Sequence, residues 1–230
     1  MAGRETGSTR AQLYASEDFP GTGGCVIPIA HGANNSMDNP LIVGVSGGLA
    51  ERGHAALPFN FPYREAGRKS PDAQKVLEAA WLGVFQYASA NTGVPPERLV
   101  AGGKSMGGRV AAQLAGSGRM SPAGLVFFGY PLHAPGKKDC PRADHLYSIK
   151  CPMLFFAGTR DPLCDIEVLR GIIAGIDVPV RLHTVEGGDH GFKLPKSADT
   201  GFEEVVTDIV EKTARWLWEI ADRQVRPSRP

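Results

Sequence analysis

The feature that most restricts how this chain can fold is the run Arg-Leu-Val-Ala-Gly-Gly-Lys-Ser-Met-Gly-Gly-Arg-Val at residues 98–110. A short apolar segment stops there at glycines and a small-residue helix begins. The run contains G-x-S-x-G centred on Ser105, a pattern with a mechanical reading: a buried strand ends, the chain turns sharply into a helix, and the serine is held out above the sheet. Gly103 and Gly107 leave strand and helix room to approach, and Val110, Ala111, Ala112, Leu114 and Ala115 predict a slim apolar helix suited to a sheet surface. Gly-Lys-Ser also closes the phosphate-loop pattern G-x-x-x-x-G-K-[ST], but Arg98 stands where that pattern needs its first glycine. The plainer rival is a strand-to-helix turn with no chemistry, and partners for Ser105 decide against it or for it.

The flanking sequence alternates strands and helices. Residues 25–30, 54–61, 123–129, 152–157 and 178–185 read as apolar strands ending in turn-forming residues. Between them, residues 38–52 read as a helix with Leu41, Ile42, Val45 and Leu49 on one side, despite Gly44, Gly47 and Gly48. A second helix begins at Ser70-Pro71-Asp72 and carries Leu77, Ala80, Trp81, Val84 and Ala88 at helical spacing. Residues 166–174 form another, and Phe202, Val205, Val206, Ile209, Thr213, Trp216, Leu217 and Ile220 share one face of a long last helix. Near-continuous apolar strands alternating with helices predict a mostly parallel sheet covered on both faces, a three-layer α/β sandwich. Residues 130–149 are irregular and too few for a multi-helix cap, so no large lid is expected. We expect a flexible leader at 1–23, one domain at 24–222 and a disordered tail at 223–230.

Ligands on such sheets bind beyond the carboxyl ends of the strands. Ser105, Asp161 and His190 each follow a predicted strand, each lies in a glycine-rich turn, and they occur in the order nucleophile, acid, base. A serine hydroxyl needs a base within hydrogen-bond reach and a carboxylate to fix the imidazole's tautomer, so these three are the candidate catalytic residues. Asp165 is the substitute acid if Asp161 only caps a helix. Two donors for a developing oxyanion are expected from the main-chain amides of Met106, placed by the turn itself, and Ala33, in the loop His31-Gly32-Ala33. His31 itself reads as a loop-shaping residue, and His54, His133, His145 and His183 have no evident partners in sequence.

Charge bears on the substrate. With 25 basic and 24 acidic side chains the chain has no global field to draw nucleic acid or an anionic membrane. The N-terminal residues lack a secretory apolar core and no run approaches the length of a membrane helix, so a cytoplasmic protein is expected. Cys25, Cys140, Cys151 and Cys164 lack metal or disulfide-scaffold spacing and are expected to be free, buried thiols; no metal or organic cofactor is called for. Arg64 and Arg160 fall in loops at the predicted active edge, together with Arg68, Lys69, Lys137 and Lys138, and are candidates for holding an anionic substrate. Lys104 reads either as a cation paired behind the turn or as one holding a carboxylate in the wall of the site. Trp218, opposite the apolar face of the last helix, is a candidate partner contact, and homo-oligomerisation stays open.

The residues just named resemble the α/β-hydrolase superfamily over roughly 24–222. More narrowly, Gly102-Gly-Lys-Ser-Met-Gly-Gly-Arg109, Phe59-Asn-Phe-Pro-Tyr-Arg64, Tyr130-Pro-Leu-His133 with Pro135-Gly136-Lys137, and Gly158-Thr-Arg-Asp-Pro162 resemble the KANL/TEX-type branch of predicted hydrolases. The architecture is similar to that of dienelactone-hydrolase-like proteins, which typically carry cysteine where this chain has Ser105. The resemblance implies Ser105, Asp161 and His190 as a triad, and the expectation drawn from the site is a serine hydrolase acting on a small carboxylic ester or thioester. It does not imply a particular substrate. Because that branch includes relatives regarded as subunits of larger complexes, the competing expectation is a non-catalytic binding or assembly module of the same fold.

Overall fold

The apolar runs of the sequence become strands buried at every position: β1 (Val26–Ala30), β2 (Ala55–Phe59), β3 (Ala101–Lys104), β4 (Leu125–Phe128) and β5 (Met153–Gly158). A sixth, β6 (Val180–Val185), is only half-buried and lies at an edge. The computed structural model, which describes residues 8–223, joins them in one parallel sheet of order β2-β1-β3-β4-β5-β6. Side chains alternate across it. Leu125 and Phe127 of β4, like Met153 and Phe155 of β5, enter one core with α3 (Gln74–Asn91), α4 (Met106–Gly116) and α5 (Ile166–Ala174). Val126, Phe128, Leu154 and Phe156 enter the other with α1 (Pro40–Ala50) and α6 (Phe202–Arg223). The expected three-layer sandwich follows, and the period-2 pattern is hidden in the sequence because both faces are apolar.

The glycines that weaken residues 38–52 as a helix have a packing role. A methyl group on Gly44 would stand 2.8 Å from a Val206 methyl, and one on Gly48 would stand 2.7 Å from a Val210 methyl, so α1 and α6 pack unusually close. Asn39 caps α1 through its side chain and Pro40 opens the helix. The expected start of α3 at Ser70-Pro71-Asp72 is not what forms. The helix begins at Gln74 with Ala73 as an N-cap that makes no side-chain bond, and Asp72 is instead held by Arg68 at 2.6 Å.

Residues 10–14 of the expected leader run antiparallel along β2: Tyr14 N–H donates to Ala56 O, Ala56 N–H to Tyr14 O, and Asn60 N–H to Arg10 O, each at 2.9 Å. The expectation for the tail concerns residues that lie almost wholly outside those described. Between β4 and β5 only a five-residue 3-10 helix, Asp144–Ser148, interrupts irregular chain, so no large lid covers the sheet. Among the described residues no helix is long and apolar enough to cross a membrane. Cys25 and Cys164 are buried and Cys151 half-buried, but Cys140 is exposed, in the irregular chain between β4 and β5. Trp218, the candidate partner contact, is half-buried. Its ring packs on the buried His54 at 4.6 Å and closes over Gly53.

Candidate active site

The G-x-S-x-G segment folds as its glycines dictate. β3 ends at Lys104, α4 begins at Met106, and Ser105 between them has φ +50° and ψ −119°, a region that costs a non-glycine residue about 1–3 kcal/mol. The turn is held by neighbours that admit no side chain. A methyl group on Gly103 would meet Gly108 N at 2.3 Å, and one on Gly107 would meet Ala30 O at 2.5 Å. The indole of Trp81, buried on α3, donates to Gly107 O at 2.9 Å and braces the first turn of α4. Serine is thus forced out of the sheet at the carboxyl end of its central strands.

The acid arrives in the turn after β5. Asp161 is 7% exposed, and its carboxylate accepts from Leu163 N–H at 2.8 Å and from His190 Nδ1–H at 2.7 Å. Since the carboxylate only accepts, Nδ1 carries the proton and Nε2 is free to accept from Ser105 Oγ–H at 2.9 Å. Bare backbone lets the two loops meet: a methyl group on Gly158 would stand 2.2 Å from Gly188 O, and Arg160 N–H donates to that same oxygen. Gly129, with φ +72°, makes room for His190, whose ring is 3.6 Å from where a methyl group would be. Sequence-predicted Ser105, Asp161 and His190 are therefore one hydrogen-bonded chain. Asp165, the substitute acid, is spent elsewhere: it caps α5 through the amides of Glu167 and Val168 and pairs with Lys138.

The loop after β1 closes the other side. Gly32 is so near that a methyl group on it would be 3.1 Å from Ser105 Cβ. His31 is fully buried and shapes this loop, as expected, donating from Nδ1 to Gly32 O at 2.8 Å and accepting at Nε2 from Phe61 N–H at 3.1 Å. Burial lowers its pKa to about 4, which keeps it neutral. Tyr63, in the short helix α2 (Pro62–Glu65), donates from its hydroxyl to Gly32 O at 3.4 Å. The segment around Phe61 and Tyr63 is thus the scaffold for the loop carrying Ala33, a role that only its adjacency to β2 hints at in sequence. Ala33 itself is exposed, whereas Met106 is buried at the first position of α4.

The basic candidates part company. Lys104 is 5% exposed, and its ammonium donates to His190 O at 2.9 Å. Arg64 lies half-buried on α2 and reaches Arg68 O, while Arg160 is exposed in the Asp161 turn. Arg160 lines an open cleft of about 690 Å³ together with His133, Lys138, Asp161 and Arg170. Sequence reasoning missed Trp81, Gly129 and Gly158 as supports, although a glycine directly before or after an apolar strand is a readable signal of close backbone approach.

Serine, acid and histidine delivered in that order from the ends of β3, β5 and β6 of a parallel sheet mark the α/β-hydrolase class. The chain belongs to it: residues 24–218 match the model of the alpha/beta hydrolase domain family. Among solved structures it is similar to Est1E from Butyrivibrio proteoclasticus with ferulic acid bound, at 18% identity over 92% of this chain and 96% of that one, with TM-score 0.72. It is also similar to the dienelactone hydrolase from Anabaena variabilis, at 18% identity over 92% and 91% of the two chains, with TM-score 0.69. A third is an a/b serine hydrolase without lid, XC6422 from Xanthomonas campestris, at 17% identity over 98% and 93%, with TM-score 0.67. At these identities the likeness is one of fold.

Proposed function

We propose that the protein is a serine hydrolase that cleaves a small carboxylic ester or thioester through an acyl-enzyme. The single observation behind this reading is the unbroken hydrogen-bonded chain from Ser105 Oγ through His190 to Asp161. In the first half-reaction Ser105 Oγ attacks the acyl carbon while His190 Nε2 takes its proton, and the imidazolium, held by Asp161, then protonates the leaving alkoxide or thiolate. In the second half-reaction water attacks the acyl-serine by the same proton path and the acid departs. The amides of Met106 and Ala33 receive the oxyanion, each worth roughly 3 kcal/mol of barrier. An open site with no large lid is in keeping with short, soluble esters, as is the esterase and dienelactone-hydrolase character of the fold neighbours. Arg64 and Arg160 are the groups through which an anionic substrate would be held. The motifs around Lys104, Arg64 and Asp161 support kinship of the chain with the KANL/TEX-type branch, and its free cysteines accord with work in the cytoplasm.

The test is covalent. A fluorophosphonate probe should label the folded protein at Ser105, with labelling lost in Ser105→Ala and His190→Ala. A folded wild type that stays unlabelled would count against the enzyme and favour the binding-module alternative, for which a Ser105→Ala chain would keep its cellular role.

A further inference from the structure

Lys104 is a cation buried at the end of a central strand. Gly102, two residues earlier and so on the same sheet face, would meet Ile27 and Ile29 with any added methyl group, which places Lys104 on the face covered by α1 and α6. Burying an ammonium among such neighbours is costly, and here burial lowers the pKa to about 8, against the opposing pull of Asp161 and Asp189. The group therefore stays charged at neutral pH. Its donor bond goes to the carbonyl of the same residue whose ring receives Ser105 Oγ. Adjacent residues 104 and 105 thus make two separate ties to His190, one to its backbone and one to its imidazole.

The start of the His190 turn is tied to the turn after β5, through Arg160 N–H to Gly188 O and Gly187 N–H to Thr159 Oγ1, and its remainder is organised by its own members. Asp189 Oδ1 accepts from Gly191 N–H at 2.7 Å and from Lys193 N–H at 2.9 Å, and Asp189 N–H donates to Lys193 O. Those bonds shape the turn but do not fix it to the sheet beside the nucleophile. The Lys104 bond does, from the last residue of β3. Its charge also faces two carboxylates: Asp161, whose side chain is fully buried against His190, and Asp189 on the turn itself.

We propose that Lys104 is a positioning residue for His190: its ammonium ties the histidine's backbone beside the nucleophile and so holds the imidazole on Ser105 Oγ. This rests on the hydrolase reading above. A lysine that only held the fold together would lower stability and leave kcat of the folded protein alone.

The experiment compares wild type, Lys104→Met and Lys104→Arg for hydrolysis of a short chromogenic ester and for fluorophosphonate labelling at about pH 7, where the lysine is charged. Lys104→Met should lower kcat by about 10- to 100-fold with KM little changed. Lys104→Arg, which keeps a charged donor, should recover part of that loss. A wild-type kcat or labelling rate in folded Lys104→Met, or a folded Lys104→Arg no faster than Lys104→Met, overturns the proposal while the hydrolase reading stands. A wild type that neither labels nor turns over overturns the hydrolase reading instead. If Lys104→Met fails to fold, as thermal unfolding reports, Lys104→Gln carries the test: folded and turning over at the wild-type rate, it is fatal to the idea.

Discussion

Gly103 and Gly108 touch backbone to backbone: a methyl group on the first would stand 2.3 Å from the amide nitrogen of the second. No side-chain movement can relieve that overlap, so Gly103→Ala must push α4 away from β3. The substitution should destabilise the protein by about 3 kcal/mol or prevent folding, as measured by urea unfolding. Gly47→Ala is the control. Nothing lies within 4 Å of a methyl group there, in the interior of α1, and the change should raise stability by about 0.5–1 kcal/mol.

Ser105 holds a backbone conformation suited to glycine, so chemistry and stability pull apart at this residue. Ser105→Gly should raise the unfolding free energy by about 1 kcal/mol, whereas Ser105→Ala should leave it nearly unchanged. Both should lower ester turnover by about 10⁴-fold or more. A Ser105→Gly protein no more stable than Ser105→Ala would mean the turn stores no strain.

Two fully buried histidines make the fold acid-sensitive. His31 and His54 each have a pKa lowered to about 4, chiefly by burial. His54 accepts Cys25 N–H at Nδ1 and donates from Nε2 to Ala214 O, joining β1 to α6. Above about pH 6.5 neither folded nor unfolded chain protonates them. As pH falls toward 4 the unfolded chain takes up protons that the folded chain refuses, so stability is lost across that window, by about 3 kcal/mol for each histidine. Urea midpoints at a series of pH values check this, and His54→Asn, though less stable at neutral pH, should show a shallower decline.

Substrate size and charge are separable. With no large lid, turnover should be greatest on short soluble esters and should not rise when a long-chain ester passes its solubility limit. If Arg64 helps hold an anion, a carboxylate-bearing ester should lose kcat/KM with added salt, since an exposed cation is screened beyond about 8 Å at physiological ionic strength. Arg64→Ala should then cost that ester about tenfold and spare its neutral twin. Equal losses on both esters would make the arginine structural.

Much of this was readable before any coordinates. Strand and helix order follow from apolar runs punctuated by glycine and proline, and Ser105, Asp161 and His190 each announce themselves by a turn directly after a strand. What stayed hidden depends on partners distant in sequence. The glycines of residues 44 and 48 look like helix weaknesses until Val206 and Val210 are seen against them. His54 has no local partner because its two lie at Cys25 and Ala214. The start of α3 was misplaced because Asp72 prefers Arg68 to the helix amides, a competition that local cap rules do not include. Lys104 presents two readings in sequence, a paired cation or one holding a carboxylate, and its bond goes instead to the carbonyl of His190, 86 positions away.

The order of the sheet also fixes when the site can exist. From β3 outward the strands β4, β5 and β6 are laid side by side in the order in which the ribosome makes them. Serine comes directly after β3, the acid after β5 and the histidine only after β6, on the edge of the sheet. A nascent or truncated chain that stops before residue 190 therefore presents a nucleophile with no base, and reactivity appears only when the final strand has docked and its turn has closed over the serine.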